Sequence, residues 1–172
     1  MNNSVKITSG KLRGRSIRTP SGKTHPMGKR ERLALFNMIN EILSDAKVLD
    51  AFAGSGALGI EAISRGATEV VFVEKDARAV NLIRQNLANL NIDARVVLSD
   101  VINFVDKANF DLILADPPYD DFKIEPIIRL VKLLRPGGTL VLSHPDEALE
   151  ISGLKLLKTR TYAAAHISIY VK

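Results

Sequence analysis

A glycine turn between an apolar strand and a helix constrains this chain more than any other feature. In Val48–Glu61, VLDAFAGSGALGIE, a short apolar run ends in Asp50 and is followed by Gly54, Gly56 and Gly59 in the spacing G-x-G-x-x-G. Gly54 and Gly56 can adopt the backbone angles of a tight turn and let main chain approach a ligand closely, while Gly59 lets the helix pack near the strand. The turn leaves free N–H groups at a helix N-terminus, which suits a polar or anionic group. A second apolar run, Glu69–Glu74 (EVVFVE), ends in Glu74, 20 residues after Gly54. At that spacing a carboxylate can accept hydrogen bonds from a ribose diol. Strand, turn, helix and second strand with a terminal acid define a nucleoside-cofactor site.

The same spacing fits dinucleotides, so the cofactor has to be argued separately. Asp50 places a fixed negative charge just ahead of the turn, where it would repel a pyrophosphate and meet a ligand ammonium. After a later strand comes Asp116-Pro117-Pro118-Tyr119, for which hydride transfer has no use. S-adenosylmethionine, with an ammonium, a ribose and an adenine, suits these acids better than a nicotinamide.

From Lys47 onward strand and helix patterns alternate: strands at Lys47–Ala51, Glu69–Glu74, Ala94–Leu98, Asp111–Ala115 and Thr139–Ser143, helices at Ala57–Arg65, Ala77–Leu90 and from about Ile124 to Leu134, and a short helix near Val101–Val105. Arg135-Pro136-Gly137-Gly138 reads as a helix stop, and Leu154–Thr161 with His166–Val171 as a closing antiparallel pair across Ala163–Ala165. Such alternation implies a parallel sheet covered on both faces, with ligands beyond the carboxyl ends of the strands. Asp50, Glu74, Asp100 and Asp116 all fall at or just past such ends. Asp100 suits an adenine amino group or an N-cap, and the two roles are compatible. His144 and His166 read as structural, and His25 as part of a basic loop.

Ahead of this lies a basic arm. Val5–Thr8 and Leu12–Ile17 suggest a hairpin turning at Ser9-Gly10, with Arg13 and Arg15 on one face and Gly14 opening space for a polyanion backbone. Thr19–Lys29 is turn-rich, and Arg30–Leu43 reads as an amphipathic helix with Leu33, Phe36, Ile39 and Leu43 inward. Residues 1–32 hold nine Lys/Arg and one acid, a local +8, whereas the rest of the chain, with 15 Lys/Arg and 18 acids, carries −3. A basic segment this concentrated points to a bound polyanion, the plainer reading being a solvated tail. Its candidate polyanion contacts are Lys11, Arg13, Arg15, Arg18, Arg30 and Arg32. The organisation expected is an arm over residues 1–28 and one catalytic domain over 29–172.

The chain has no cysteine. That excludes disulfides, thiolate metal sites, cysteine-held clusters and methyl transfer through a cysteine nucleophile, so a methylated substrate must supply its own nucleophile. No metal ligand set is apparent. No apolar run approaches the ~18 residues of a membrane span, which leads us to expect a cytoplasmic protein without a membrane partner.

Asp116-Pro117-Pro118-Tyr119 carries the chemistry. The prolines fix the backbone and cannot donate, so the Asp116 carboxylate and the Pro117 carbonyl are held as acceptors. Two such acceptors suit a planar exocyclic amine. Drawing on both N–H groups makes the nitrogen more pyramidal and more nucleophilic, and Tyr119 offers a face for a base to stack on. Whether Asp116 also takes the proton is left open by the sequence.

D-P-P-Y is the motif of methyltransferases acting on exocyclic nitrogens of nucleic-acid bases, and the wider pattern resembles the RsmD family. The matching segments are ITSGKLRGRSIRTP, LALFN (Leu33–Asn37), LDAFAGSGALGIEAISRGA (Leu49–Ala67), VEKD (Val73–Asp76) and ADPPY (Ala115–Tyr119). The resemblance implies an α/β, Rossmann-like, seven-stranded class I S-adenosylmethionine-dependent methyltransferase fold carrying an N-terminal basic β-hairpin. It implies cofactor contacts from Asp50, Phe52, Gly54, Ser55, Gly56, Glu74, Lys75, Asp100 and Val101, and a target base held by Asp116, Pro117, Pro118 and Tyr119. It implies as substrate the 2-amino group of one guanine (966 in the family) of 16S ribosomal RNA, within the 30S subunit or an assembly intermediate, and a monomeric enzyme. One stretch departs from the family: where R-P-T-x-D-R-x-R-E is usual, this chain has His25-Pro26-Met27-Gly28-Lys29-Arg30-Glu31-Arg32-Leu33, losing the threonine and both acids. By the resemblance that stretch lies near cofactor and RNA. The other readings open at this point are an amino-methyltransferase on another RNA or on DNA adenine, a non-catalytic RNA-binding assembly factor, and a nicotinamide oxidoreductase.

Overall fold

A computed structural model of the chain describes residues 4–20, 27–107, 109–145, 149–162 and 165–172. The expected loop positions 21–26, with His25, and Ala163–Ala164 of the closing turn lie outside them.

Seven strands form one sheet in the order β5-β4-β3-β6-β7-β9-β8: β3 Lys47–Asp50, β4 Glu69–Glu74, β5 Arg95–Leu98, β6 Phe110–Ala115, β7 Leu134–His144, β8 Lys155–Tyr162 and β9 Ala165–Val171. β5, β4, β3, β6 and β7 are mutually parallel, and β9 then pairs antiparallel with both β7 and β8. From β3 the chain winds outward through β4 to β5, then returns to β6 on the other side. The switch point between β3 and β6 opens a crevice at the carboxyl ends of the strands, where open sheets of this kind bind ligands. Helices α2 (Ala57–Ser64), α3 (Ala77–Asn89) and α4 (Ile124–Val131) provide the crossovers. Two apolar clusters follow, one built around Val48, Ile60, Phe72 and Ile83, the other around Leu49, Phe110, Ile113 and Leu130.

The glycine turn has the expected backbone. Gly54 and Gly56 sit at φ 54° and 79°. A Cβ on Gly59 would lie 2.2 Å from the Phe72 ring, so only glycine lets α2 pack this closely on β4.

Three expectations need correction. The hairpin is β1 Ser4–Lys6 paired with β2 Ser16–Arg18, and Leu12–Gly14 belong to its turn. Arg13 N donates to Gly10 O and Arg15 N to Leu12 O within the turn, while Gly14 and Arg15 close onto Ile7, so Arg13 and Arg15 do not share a strand face. Helix α1 spans Lys29–Met38 and gives way to a 3-10 turn at Asn40–Ile42; Phe36, Ile39 and Leu43 are buried as expected, but Leu33 is exposed, and Arg32 and Leu35 take the other inward positions of the helix. Arg135–Gly138 does not terminate a helix but lies within β7, which begins three residues after α4 ends, as a bulge between the Phe110↔Leu134 and Leu112↔Thr139 pairs. The ends of the sheet hold it there: Gly137 N donates to Lys172 O, and Lys172 N to Gly138 O.

The arm is docked along its described length. Ile7 and Ile17 are buried in the main core. Lys11 N donates to Ser64 O and Leu12 N to Ser64 Oγ, at the C-terminal end of α2. Farther along, Arg18 N donates to Asn86 Oδ1 on α3. The Asn86 amide in turn donates to Arg18 O and to Ser55 O, so this buried side chain joins the arm to the glycine turn.

Candidate active site

Four acids stand at the carboxyl edge of the sheet because their strands end together. Asp50 closes β3 and is almost fully buried, its Oδ2 accepting from Gly59 N at 2.8 Å. Glu74 closes β4; Oε2 accepts from Gly54 N at 2.8 Å and Oε1 from Asp76 N at 2.9 Å, which fixes the carboxylate under the glycine turn. Asp76 caps α3 by accepting from Arg78 N and Ala79 N. Asp100 is exposed beyond β5 and caps the 3-10 turn Val101–Asn103 through Ile102 N. Asp116, half-buried, follows β6.

The charges are not independent. Burial pushes the Asp50 carboxyl up to about 7; the Gly59 N–H opposes the shift, and repulsion from Asp116 and Glu74 adds to it. Burial likewise raises Asp116 to about 6, against a hydrogen bond from Ser143. Asp50 thus feels both Asp116 and Glu74 at one edge of the sheet, an electrostatic arrangement complementary to a positively charged ligand. A Cβ on Gly54 would meet nothing within 4 Å, so the turn beside them borders open space. Phe52 is half-buried, Ser55, Gly56 and Val101 are buried, and Lys75 is exposed next to Glu74.

Pro117 is buried, Pro118 and Tyr119 are exposed, and Tyr119 opens a 3-10 turn through Asp121. The Tyr119 hydroxyl is hydrogen-bonded to Ser143 Oγ. Burial raises the Tyr119 phenol, the Ser143 bond lowers it, and Asp116 raises it again. Ser143 is a residue that motif reading does not find. Its signal is register: Ala115 pairs with Leu142, so the next residues, Asp116 and Ser143, emerge side by side.

Of the cations assigned to RNA, Lys11, Arg13, Arg15, Arg18 and Arg30 are exposed. Arg15 donates to Asn89 O and Arg18 to Gln85 Oε1 on α3. Gly14, at φ 83°, has open space about its Cα, as the arm reading requires. Arg32 is corrected. It is 1% exposed, donates to Lys6 O and Met27 O, and lies 3.6 Å from Glu61 Oε2, so no surface polyanion reaches it. His144 and His166 are structural as expected: their rings stack at 5.9 Å, and His144 Nε2 bonds Ser168 Oγ.

A cleft of about 790 Å³ lies elsewhere, at the opposite edge of the sheet among Lys11, Glu69, Asn91 and Arg95. It contains none of the four acids. Among the described residues, no cluster of three or more His, Cys, Asp or Glu is arranged to hold a metal ion, and no helix is long and apolar enough to cross a membrane.

The strand order, glycine turn and edge acids define a class I methyltransferase fold. A family model described as conserved hypothetical protein 95 matches residues 5–171. Ribosomal RNA small subunit methyltransferase D of Escherichia coli K12 is 37% identical over 84% of this chain and 72% of its own length. The Haemophilus influenzae protein of the same name is 33% identical over 96% and 93%. Among solved structures, Escherichia coli yhhF superposes with a TM-score of 0.88 at 30% identity, covering 99% of this chain and 98% of that one. A Thermus thermophilus 16S rRNA N2 G1207 methyltransferase, solved with AdoMet and guanosine, shares the fold at a TM-score of 0.73 and 24% identity, covering all of this chain and 50% of that one. The chain belongs to the RsmD family.

Proposed function

We propose that the protein methylates the exocyclic 2-amino group of a guanine in 16S ribosomal RNA, the family's guanine 966, during assembly of the small subunit. The observation that carries this reading is the position of Asp116-Pro117-Pro118-Tyr119 at the β3/β6 switch point, beside the acid-lined crevice. The names of the relatives support the substrate class.

The donor set fits S-adenosylmethionine. Its sulfonium and ammonium match the carboxylates of Asp50, Glu74 and Asp116, with Asp50 raised by burial and by repulsion from the other two, and Asp116 raised by burial. Asp50, Phe52, Gly54, Ser55, Gly56, Glu74, Lys75, Asp100 and Val101 would hold it, each acid keeping lone pairs beyond its backbone bonds. When bound, it supplies an electrophilic methyl group.

The remaining chemistry belongs to the chain. The arm docks on phosphates, and a guanine leaves its stack for the crevice. The Asp116 carboxylate and Pro117 carbonyl accept its two amino protons, while Tyr119 stacks on the ring. Asp116 and Pro117 would hold the nitrogen in line with the methyl group that the bound cofactor would supply, with orientation contributing most of the rate. The nitrogen then sheds one proton to Asp116, whose raised pKa suits it as acceptor.

The test is transfer of radiolabelled methyl to 30S subunits from cells lacking the endogenous guanine methyltransferase, to naked 16S RNA and to duplex DNA. We expect 2-methylguanosine in the subunit or its RNA. Label in DNA adenine, or none anywhere with cofactor bound, would overturn the reading. The arm has its own prediction. Charge reversal of Arg13 and Arg15 is expected to weaken RNA binding about tenfold or more and to flatten its salt slope by ~1–2, with cofactor affinity unchanged. Unaltered RNA affinity would remove the arm from the interface.

A further inference from the structure

No motif points to Ser143, yet it touches both halves of the base site. It is 1% exposed, near the carboxyl end of β7, beside Asp116 by strand register. Its hydroxyl has one proton. The Asp116 carboxylate can only accept, so that proton goes to Asp116, and the Tyr119 phenol must then donate to Ser143 Oγ. The result is a directed chain, Tyr119 to Ser143 to Asp116, that ties the stacking ring to the amine acceptor.

We propose that Ser143 is a positioning residue for the target base, its hydroxyl holding the Tyr119 ring and the Asp116 carboxylate at one fixed spacing. The inference rests on the base-binding role given above to Asp116–Tyr119. Exposed on its 3-10 turn, Tyr119 would otherwise be free to swing about its side-chain torsions. Anchored at its hydroxyl by a buried strand residue, the ring is set before the base arrives, and ordering it costs nothing at the moment of binding. The same bond leaves one Asp116 oxygen directed at Ser143 and the other for the amine.

Ser143→Ala removes only the hydroxyl. In cofactor-free protein, the Asp116 carboxyl is followed by carbon NMR against pH; it faces Asp50 across the switch point and Tyr119 beside it, with Glu74 acting on Asp50. We expect its midpoint to rise above the wild-type value of about 6, because the bond that lowers it is gone. On 30S subunits, kcat is expected to fall about tenfold with little change in KM, since the arm and not Ser143 supplies RNA affinity. Tyr119→Phe, which keeps the ring, is expected to lose a similar factor, and the double variant to be no worse than either single one. Should Ser143→Ala fail to fold, Tyr119→Phe carries the test alone, and wild-type kcat in it would overturn the proposal. An inactive Asp116→Ala alongside a Ser143→Ala with normal kcat and unmoved Asp116 titration would overturn this inference alone. An active Asp116→Ala would overturn the base-binding reading and the inference with it.

Discussion

Asp116→Ala is expected to lower kcat for methyl transfer by about a hundredfold to ten-thousandfold, with cofactor affinity little changed. It removes the acceptor that orients the amine and the group that takes its proton. Asp116→Asn separates these roles, because the amide oxygen still accepts a hydrogen bond but takes no proton at neutral pH. We expect Asn to keep a measurable part of the activity that Ala loses. Wild-type activity in Asp116→Ala would sink the assignment. The same carboxyl predicts a stability effect of opposite sign. Its pKa is raised in the folded protein, from 3.8 to about 6, and that of Asp50 to about 7. The folded state therefore holds these protons more tightly than the unfolded chain. The stabilisation is full below about pH 4 and is lost as pH rises through about 6 and about 7. Cofactor-free Asp116→Asn, with no charge to bury, should melt above wild type at pH 8, and the difference should vanish near pH 4. An unchanged melting difference across that range would mean that Asp116 is not held in a destabilising site.

The site and the fold were legible to different depths. Gly54, Gly56 and Gly59 could be read because each answers a local demand, two positive φ angles and one missing side chain against Phe72. The edge acids were legible because strand ends follow from local alternation. What escaped depends on distant partners. Leu12 alternates like a strand residue, but its N–H goes to Ser64 Oγ on α2, which no local pattern announces. Arg135–Gly138 looks like a stop, and becomes strand only because Phe110 and Lys172 supply pairing from either side. Ser143 gains its meaning from the β6/β7 register. Arg32 misled for the opposite reason. A cation in a basic stretch reads as surface, and its counter-charge, Glu61, lies 29 residues away in a helix of mostly apolar character.

That counter-charge carries the second large effect. Glu61 is fully buried on α2 and accepts from Thr8 N, Thr8 Oγ1 and Ser9 N of the arm, and from Arg65 Nε at 2.9 Å. Arg65 extends the cluster to Asn37 on α1 and to the Phe36 ring. Burial lowers the Arg32 pKa, and Glu61 is what opposes that shift. One carboxylate therefore joins the arm, α1 and α2, and compensates the buried Arg32. Glu61→Ala is expected to cost about 3–5 kcal/mol, because it leaves Arg32 buried and uncompensated. For a chain of this size that is a fall in melting temperature of roughly 10 °C. The arm should also loosen, since Thr8 and Ser9 lose their anchor, and trypsin should cut near Lys6 and Lys11 faster than in wild type. Removing both charges together tests the cause. Arg32→Met with Glu61→Leu leaves no orphaned ion, and the pair should recover much of the stability that either single change loses. Additive losses in the double variant would mean that the cluster stabilises by packing and backbone bonds, with the buried charge pair contributing little.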